Sequence, residues 1–306
     1  MRIHLLGTAA GGGVPQWNCR CGTCREARAR TGRVWPRTQS CAAISADERR
    51  WFLLNASPDL RAQMEKFPPL HPPAEKVRGS PVEGVLLTNA DLDHTLGLPL
   101  LREGEKFAIH ATSQVRRTLS EGISLAQTLE SFCGANWVEP PTKLEPLHGR
   151  DGAPSGMLYQ AITVKGKSPR YYNASGGHVP GAVIGYRIVD ARTGGRLLFL
   201  PEVAHLDSTL IDELSACEVL LFDGTFWSGA EMSECGVGSA TAASMGHLPI
   251  AGSDGSLRVL AGLPNVKKVY FHLNNTNPVL FEGSKERAEV NASGCEVAQD
   301  GMEFEL

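Results

Sequence analysis

Residues 88–94 read Thr-Asn-Ala-Asp-Leu-Asp-His. Asn89, Asp91, Asp93 and His94 therefore crowd into six residues at the end of an apolar run, GVLLT. Two carboxylates and an imidazole on one turn can converge on a divalent cation, and strand ends are where open α/β sheets carry ligands. The bland alternative is an acidic surface turn that caps a helix expected to start near Leu96. A second cluster is Cys19-Arg-Cys21-Gly-Thr-Cys24. Three thiols at this spacing suit one soft ion, zinc above all in a reducing compartment, with a structural role. Gly22 permits the tight turn that wraps backbone around it. A redox Cys-x-x-Cys role lacks its strand–helix setting. A closed zinc site needs a fourth ligand, which the spacing does not identify.

Elements that could position these groups alternate along the chain. RIHLLG reads as a first strand, and CAAISA with RWFLLNA as a hairpin-like pair. SPDLRAQMEKF has helical spacing, with Ser57 as expected N-cap and Pro58 at the first helical position. GVLLTNA and KFAIHA are short buried strands, and TSQVRRTLSEG is a helix. The stretch from Pro140 to Gly177 is rich in Gly and Pro, with strand-like MLYQAITV. VIGYRIVD and RLLFLPE flank the turn ARTGG. A helix over Asp207–Ala216 precedes the strand EVLLFDG. VKKVYFHL is a late strand, SKERAEVNA a short helix, and MEFEL a last strand. No stretch reads as a linker. The expectation is one domain over 1–306, an α/β sandwich with helices outside.

Composition narrows the function classes. A net charge of -3 over 306 residues offers no basic face to nucleic acid. No apolar run approaches the about 18 residues of a membrane span. The N-terminus lacks the basic start and long apolar core of a signal peptide, so a cytoplasmic location is expected. Five of the eight cysteines are scattered singly rather than framing disulfides, and Cys41 and Cys217 sit beside apolar runs as expected buried thiols.

The 88–94 segment resembles the H-x-H-x-D-H metal motif of the metallo-β-lactamase superfamily. Asn89 and Asp91 stand where its first two histidines would be, and Asp93 and His94 match. LLGTAAGG resembles the superfamily's opening strand and glycine loop. LLNASPDL resembles the strand ending in an Asp-x-Gly turn, here with Asn55. YFHLNNTNP, with His272, resembles its last histidine motif. Together with CRCGTC, LLFDGTFW, MGHLP and terminal DGMEFEL, these motifs resemble the coenzyme PQQ synthesis protein B family over essentially the whole chain. The resemblance implies a metallo-β-lactamase-like αββα sandwich. It implies an active-site metal on Asp91, Asp93, His94 and His272. His178 and Glu202 are further candidate ligands, and His247 and Asn274 candidate substrate contacts. In phosphodiesterases of the superfamily with a similar cysteine loop, the fourth zinc ligand comes from near the last histidine motif. The matching residue is Asn275, a poor zinc ligand, and a nearby His or Asp is the alternative. His4, His71, His110, His148 and His205 have no partner pattern.

The departures from the hydrolase motif bear on the metal. Losing two imidazoles should damage one of two metal positions. Two imidazoles with carboxylates favour Fe(II) or Mn(II), and a ferrous site with open positions is the pattern of non-heme iron oxygenases. Mn or Zn could occupy such a site in vitro. Three readings follow from the resemblance. The first is iron- and O2-dependent hydroxylation of the tyrosine ring of the cross-linked Glu-Tyr intermediate in pyrroloquinoline quinone (PQQ) biosynthesis. The second is a carrier that binds PQQ or its precursor for movement to the periplasm. The third is a metal-dependent hydrolase, against which Asn89 and Asp91 argue. The expected partners are a small-molecule PQQ intermediate or PQQ and other proteins of the pathway.

Overall fold

A computed structural model describes residues 1–173 and 177–306. Gly176, in the Gly-rich run before His178, lies outside the described residues. Six strands open the chain: β1 (Arg2–Gly7), β2 (Cys41–Ser45), β3 (Trp51–Leu54), β4 (Val82–Leu86), β5 (Phe107–His110) and β6 (Ala135–Val138). A second group follows: β7 (Glu145–His148), β8 (Pro154–Thr163), β9 (Ile184–Asp190), β10 (Arg196–Leu200), β11 (Val219–Asp223), β12 (Lys267–Phe271) and β13 (Cys295–Val297). The last strand, β14 (Glu303–Glu305), returns to pair antiparallel with β1. The first sheet runs β14-β1-β2-β3-β4-β5-β6 and the second β13-β12-β11-β10-β9-β8-β7.

The apolar runs are continuous because both faces of each sheet are covered. Alternate residues then point to different layers. Leu54 and Phe52 face inward with Ile3, Leu5, Phe199 and Phe271 in the core between the sheets. Trp51 and Leu53 face outward, under helical Leu60, Val115 and Leu119. On the other side Leu198, Leu200, Leu220 and Phe222 meet helical Leu210, Leu214, Leu257 and Leu260. This is the αββα sandwich expected from the sequence. The β2–β3 and β9–β10 pairs are antiparallel, as the hairpin readings require.

Parallel pairing concentrates loops at one edge. Strands β3 to β6 are mutually parallel, and so are β10 to β13. Asn55 and Asn89–His94 follow the C-terminal ends of β3 and β4; Glu202, Asp223 and His272 stand at those of β10, β11 and β12.

Two local expectations are corrected. The helix after β3 spans Leu60–Lys66 with Asp59 at the cap position, so Ser57 is not its N-cap. The Ser57 hydroxyl instead accepts from the Asp59 amide and donates to Gln63 Oε1, bending the chain before the helix begins. The helix expected near Leu96 begins at Leu92 and ends at Thr95, followed by a 3-10 turn over Leu98–Glu103. Asp93 and His94 are thus helical residues, presented by one turn. Strands β6 and β13 and the helix Ser256–Ala261 escaped the sequence reading, being only three to six residues long, too short to show a clear period.

Candidate metal centres

Asp93, His94 and His272 bring one ligand atom each to within 4.8 Å of one another. Asp93 Oδ2 lies 3.1 Å from His272 Nε2 and 3.9 Å from His94 Nε2. Each ring is turned by an outer partner. His94 Nδ1 lies 2.7 Å from Asn89 Oδ1, which has no proton to give, so the ring donates. That assignment leaves Nε2 with its lone pair, and His94 Nε2 is buried without a hydrogen-bond partner. His272 Nδ1 lies 2.8 Å from Thr225 Oγ1, while that hydroxyl reaches Asp223 Oδ1 at 2.6 Å. The chain His272 Nδ1–H to Thr225 to Asp223 leaves His272 Nε2 to face Asp93. These are the contacts that fix tautomer and orientation in metal-binding histidines.

An unpartnered buried imidazole nitrogen costs about 1–3 kcal/mol. A cation among Asp93, His94 and His272 would remove that cost, so the donor set fits a metal. Burial acts against ionisation of Asp93, but the attraction of the neighbouring His94 and His272 imidazoles in their cationic forms holds its carboxyl well below the usual range. Burial lowers His94 to about 4, so the ring is neutral and available as a ligand near neutral pH. The backbone of His272 is left-handed, with φ +60°, a strained geometry for a residue other than glycine. Asn55 is also left-handed (φ +62°), a conformation asparagine tolerates. Its side chain pairs with the Thr88 amide at 2.9 Å and hydroxyl at 3.0 Å, pinning the start of the Asn89–His94 turn.

Asp91 stands beside this cluster rather than in it. Its carboxylate accepts from Asn89 Nδ2 at 3.0 Å, and the other Asn89 amide hydrogen goes to Glu202 Oε2 at 2.5 Å. Burial, then the charge of Asp93, pushes Asp91 up to about 7. Glu202 is pushed up by burial and by Asp91. Asn89, read from sequence as a replaced ligand, spends its amide on Glu202, Asp91 and His94.

The remaining candidates separate clearly. His247 stacks on His272 with centroids 5.5 Å apart, and its Nδ1 donates to Asp223 Oδ2 at 2.8 Å. Asn274 is buried and donates to Thr276 Oγ1 at 2.5 Å. His178 is exposed, and its Nδ1 lies 2.9 Å from the Gly166 carbonyl, away from both imidazole groups. His4 stacks on Phe67, and His110 pairs with the Tyr159 hydroxyl. The sequence reading missed Asp223 and Thr225 as functional residues. Their signal was present: an acid at the end of a buried strand followed by Gly-Thr, the same kind of strand end that exposed Asn89–His94. Asp223 also forms a group with His247 and His272. Its oxygens, however, already accept from the Val203 and Thr225 amides, the Thr225 hydroxyl and His247.

The sulfurs of Cys19, Cys21 and Cys24 form the third group within 4.8 Å. A hydrogen bond from Cys24 lowers Cys21 to about 5, and the same bond, with burial, raises Cys24. Arg28 ties the carbonyls of Cys19 and Gln16 at 2.5 Å each, so the loop folds around the sulfurs. Purified protein should contain one tightly held zinc here. Cys24→Ala should lose it and lower the melting temperature by several degrees, at about 2–4 °C per kcal/mol for a chain of this class. Metal analysis and calorimetry test this; zinc-free protein with three freely titratable thiols would contradict it.

Comparison with known proteins places the chain in a family. Residues 50–273 match the family model of the Beta-lactamase superfamily domain. The chain is 42% identical over 309 residues to Coenzyme PQQ synthesis protein B of Ectopseudomonas mendocina, and 42% identical over 307 residues to that of Azotobacter vinelandii. Both alignments cover each chain completely. The crystal structure of Zn(2+)-bound PqqB from Methylobacterium extorquens superposes with a TM-score of 0.91 at 39% identity, covering both chains fully. A diphosphatase from the PhnP family shares the fold at TM-score 0.66 and 16% identity, covering 100% of this chain and 97% of its own. With its two mixed sheets and full-length identity of this size, the chain belongs to the coenzyme PQQ synthesis protein B family, of metallo-β-lactamase fold, and to PQQ biosynthesis.

Proposed function

We propose that this chain is an iron- and O2-dependent hydroxylase that adds oxygen to the tyrosine ring of the cross-linked Glu-Tyr intermediate. The supporting observation is the pair of Nε2 lone pairs, one of them buried and unpartnered, beside the Asp93 carboxylate. Two imidazoles and one carboxylate with open positions are the donor set of non-heme Fe(II) oxygenases. Asp93, His94 and His272 would hold the ferrous ion, which when bound supplies activation of O2. Mn(II) or Zn(II) would use the same donors in vitro, and the relative crystallised with Zn2+ supports metal binding in the family.

The protein's own residues do the rest. Asn89 and Thr225 keep both rings aimed. Asp91, raised to about 7, can exchange a proton near neutral pH, and buried Glu202 shares its surroundings through Asn89. His247 and Asn274 stand close enough to the His272 motif to contact a substrate seated there. In the balanced reaction one oxygen atom enters the ring. The other leaves as water, with two electrons from an added reductant and two protons.

Anaerobic reconstitution with Fe(II), then O2, a reductant and the cross-linked intermediate, should increase the mass of the intermediate by one oxygen atom. Absence of that product from iron-loaded protein sinks the reading. Tight PQQ binding without oxygen insertion would put the carrier role in its place.

A further inference from the structure

Two segments meet beside the acidic side of the imidazole centre. One carries Lys167 and Tyr171. The Tyr171 hydroxyl donates to the Ala90 carbonyl at 2.6 Å, so this segment is seated on the turn between Asn89 and Asp91. The other carries Ser244 and Gly246. Gly246 is left-handed, with φ +91°, and a Cβ there would stand 2.8 Å from Glu202 Oε1. Its backbone therefore passes directly against that acid, a course that suits glycine. The Lys167 ammonium joins the two segments by donating to the Ser244 carbonyl.

Lys167 is half-buried, and among the described residues it pairs with no carboxylate. An ammonium offers three donors, and one neutral carbonyl leaves both donors and charge unmatched. A cation that has given up part of its water gains from a counter-ion. Its charge reaches Asp91, which places it at the centre rather than on a remote surface. On this side of the centre the protein otherwise presents the carboxyl groups of Asp91 and Glu202, which share the Asn89 amide. Those groups cannot attract a carboxylate. PQQ and the cross-linked Glu-Tyr unit both carry carboxylates, and a ligand of that kind needs a cation facing it.

We propose that Lys167 is the specificity residue of this site, its ammonium pairing with a carboxylate of the seated ligand. The Ser244 carbonyl holds the ammonium in place until the ligand arrives. The site then selects anionic ligands over neutral ones of the same shape, because only a carboxylate supplies the missing counter-ion. A hydrogen bond to a charged group contributes enough to set a preference of about 10–100-fold. This proposal rests on the reading that PQQ or its precursor is seated beside Asp93, His94 and His272.

The test measures the dissociation constants of PQQ and of its methyl ester by equilibrium dialysis. Full-length wild type, Lys167→Met and Lys167→Arg are compared, all loaded with the same metal. The methionine keeps an apolar stem without the charge, and the arginine keeps the charge. Chelation of the metal enters the PQQ-to-ester ratio equally in every protein, so the change in that ratio isolates the pairing of residue 167 with carboxylate. Wild type should prefer PQQ. The preference should narrow about 10–100-fold in Lys167→Met and remain in Lys167→Arg. An unchanged ratio in Lys167→Met overturns the proposal, including the case in which both ligands weaken together because the Ser244 contact is merely structural. An equal loss in Lys167→Arg overturns it too, since shape rather than charge would then decide. Wild type that binds PQQ and its ester alike is the third contrary result. If iron-loaded protein inserts no oxygen while the ratio narrows as expected, the hydroxylase reading fails and Lys167 keeps its role. If oxygen is inserted and the ratio stays unchanged, the Lys167 assignment alone fails.

Discussion

His94→Ala and Asp93→Ala are each expected to weaken Fe(II) binding by more than about 100-fold and to abolish oxygen insertion with it. The magnitude follows from the donor set. Replacing an outer partner of a metal ligand already costs about 10–100-fold in affinity or activity. Losing one of only three ligands must cost more. Asn89→Leu and Thr225→Val supply the graded comparison. They remove the contacts that aim His94 and His272 but leave three ligands, so they should fall in that intermediate range. The fold and any zinc at the cysteine cluster should persist in all four variants, since the three sulfurs form a group separate from Asp93, His94 and His272. Metal content, circular dichroism and product mass together check this. A His94→Ala or Asp93→Ala protein that still bound iron normally and hydroxylated the intermediate would show the site assignment to be wrong.

Hydrolysis of a chromogenic β-lactam, a bis-aryl phosphodiester or a thioester should be indistinguishable from buffer, with zinc or manganese supplied. A dinuclear hydrolase needs a second set of free donors to hold a bridging hydroxide between two metals. Here Asn89 uses its amide on Glu202, Asp91 and His94, and burial favours the uncharged forms of Asp91 and Glu202. The Asp223–His247–His272 group does not supply the second set. It shares His272, and the Asp223 oxygens are already engaged. Turnover of any of these substrates at ordinary enzymatic rates, lost in His94→Ala, would falsify this account.

Much of this protein was legible in its sequence for reasons that are local. Continuous apolar runs separated by helical spacing determine a layered α/β sandwich, because only a sheet covered on both faces needs strands like RLLFL and VLLFD. The order of polar residues after GVLLT determines that a turn rich in candidate metal donors follows β4, since one backbone turn presents Asp93 and His94 together. The C-x-C-x2-C spacing likewise brings three sulfurs together at the start of one short helix, Gly22–Ala29. Three features needed the tertiary structure. Ser57 reads as a cap by type and spacing, but the Gln63 and Asp59 contacts that redirect it arise only once the chain bends. Whether Asp91 joins Asp93 depended on Glu202, which lies 113 residues from Asn89 and draws that amide to the side. Asp223 and Thr225 gain their role only when β11 pairs in parallel beside β12 and puts a hydroxyl against His272 Nδ1. A sequence determines which donors share a turn. The pairing of distant strand ends decides which face of each imidazole is held by protein and which nitrogen is left for a metal.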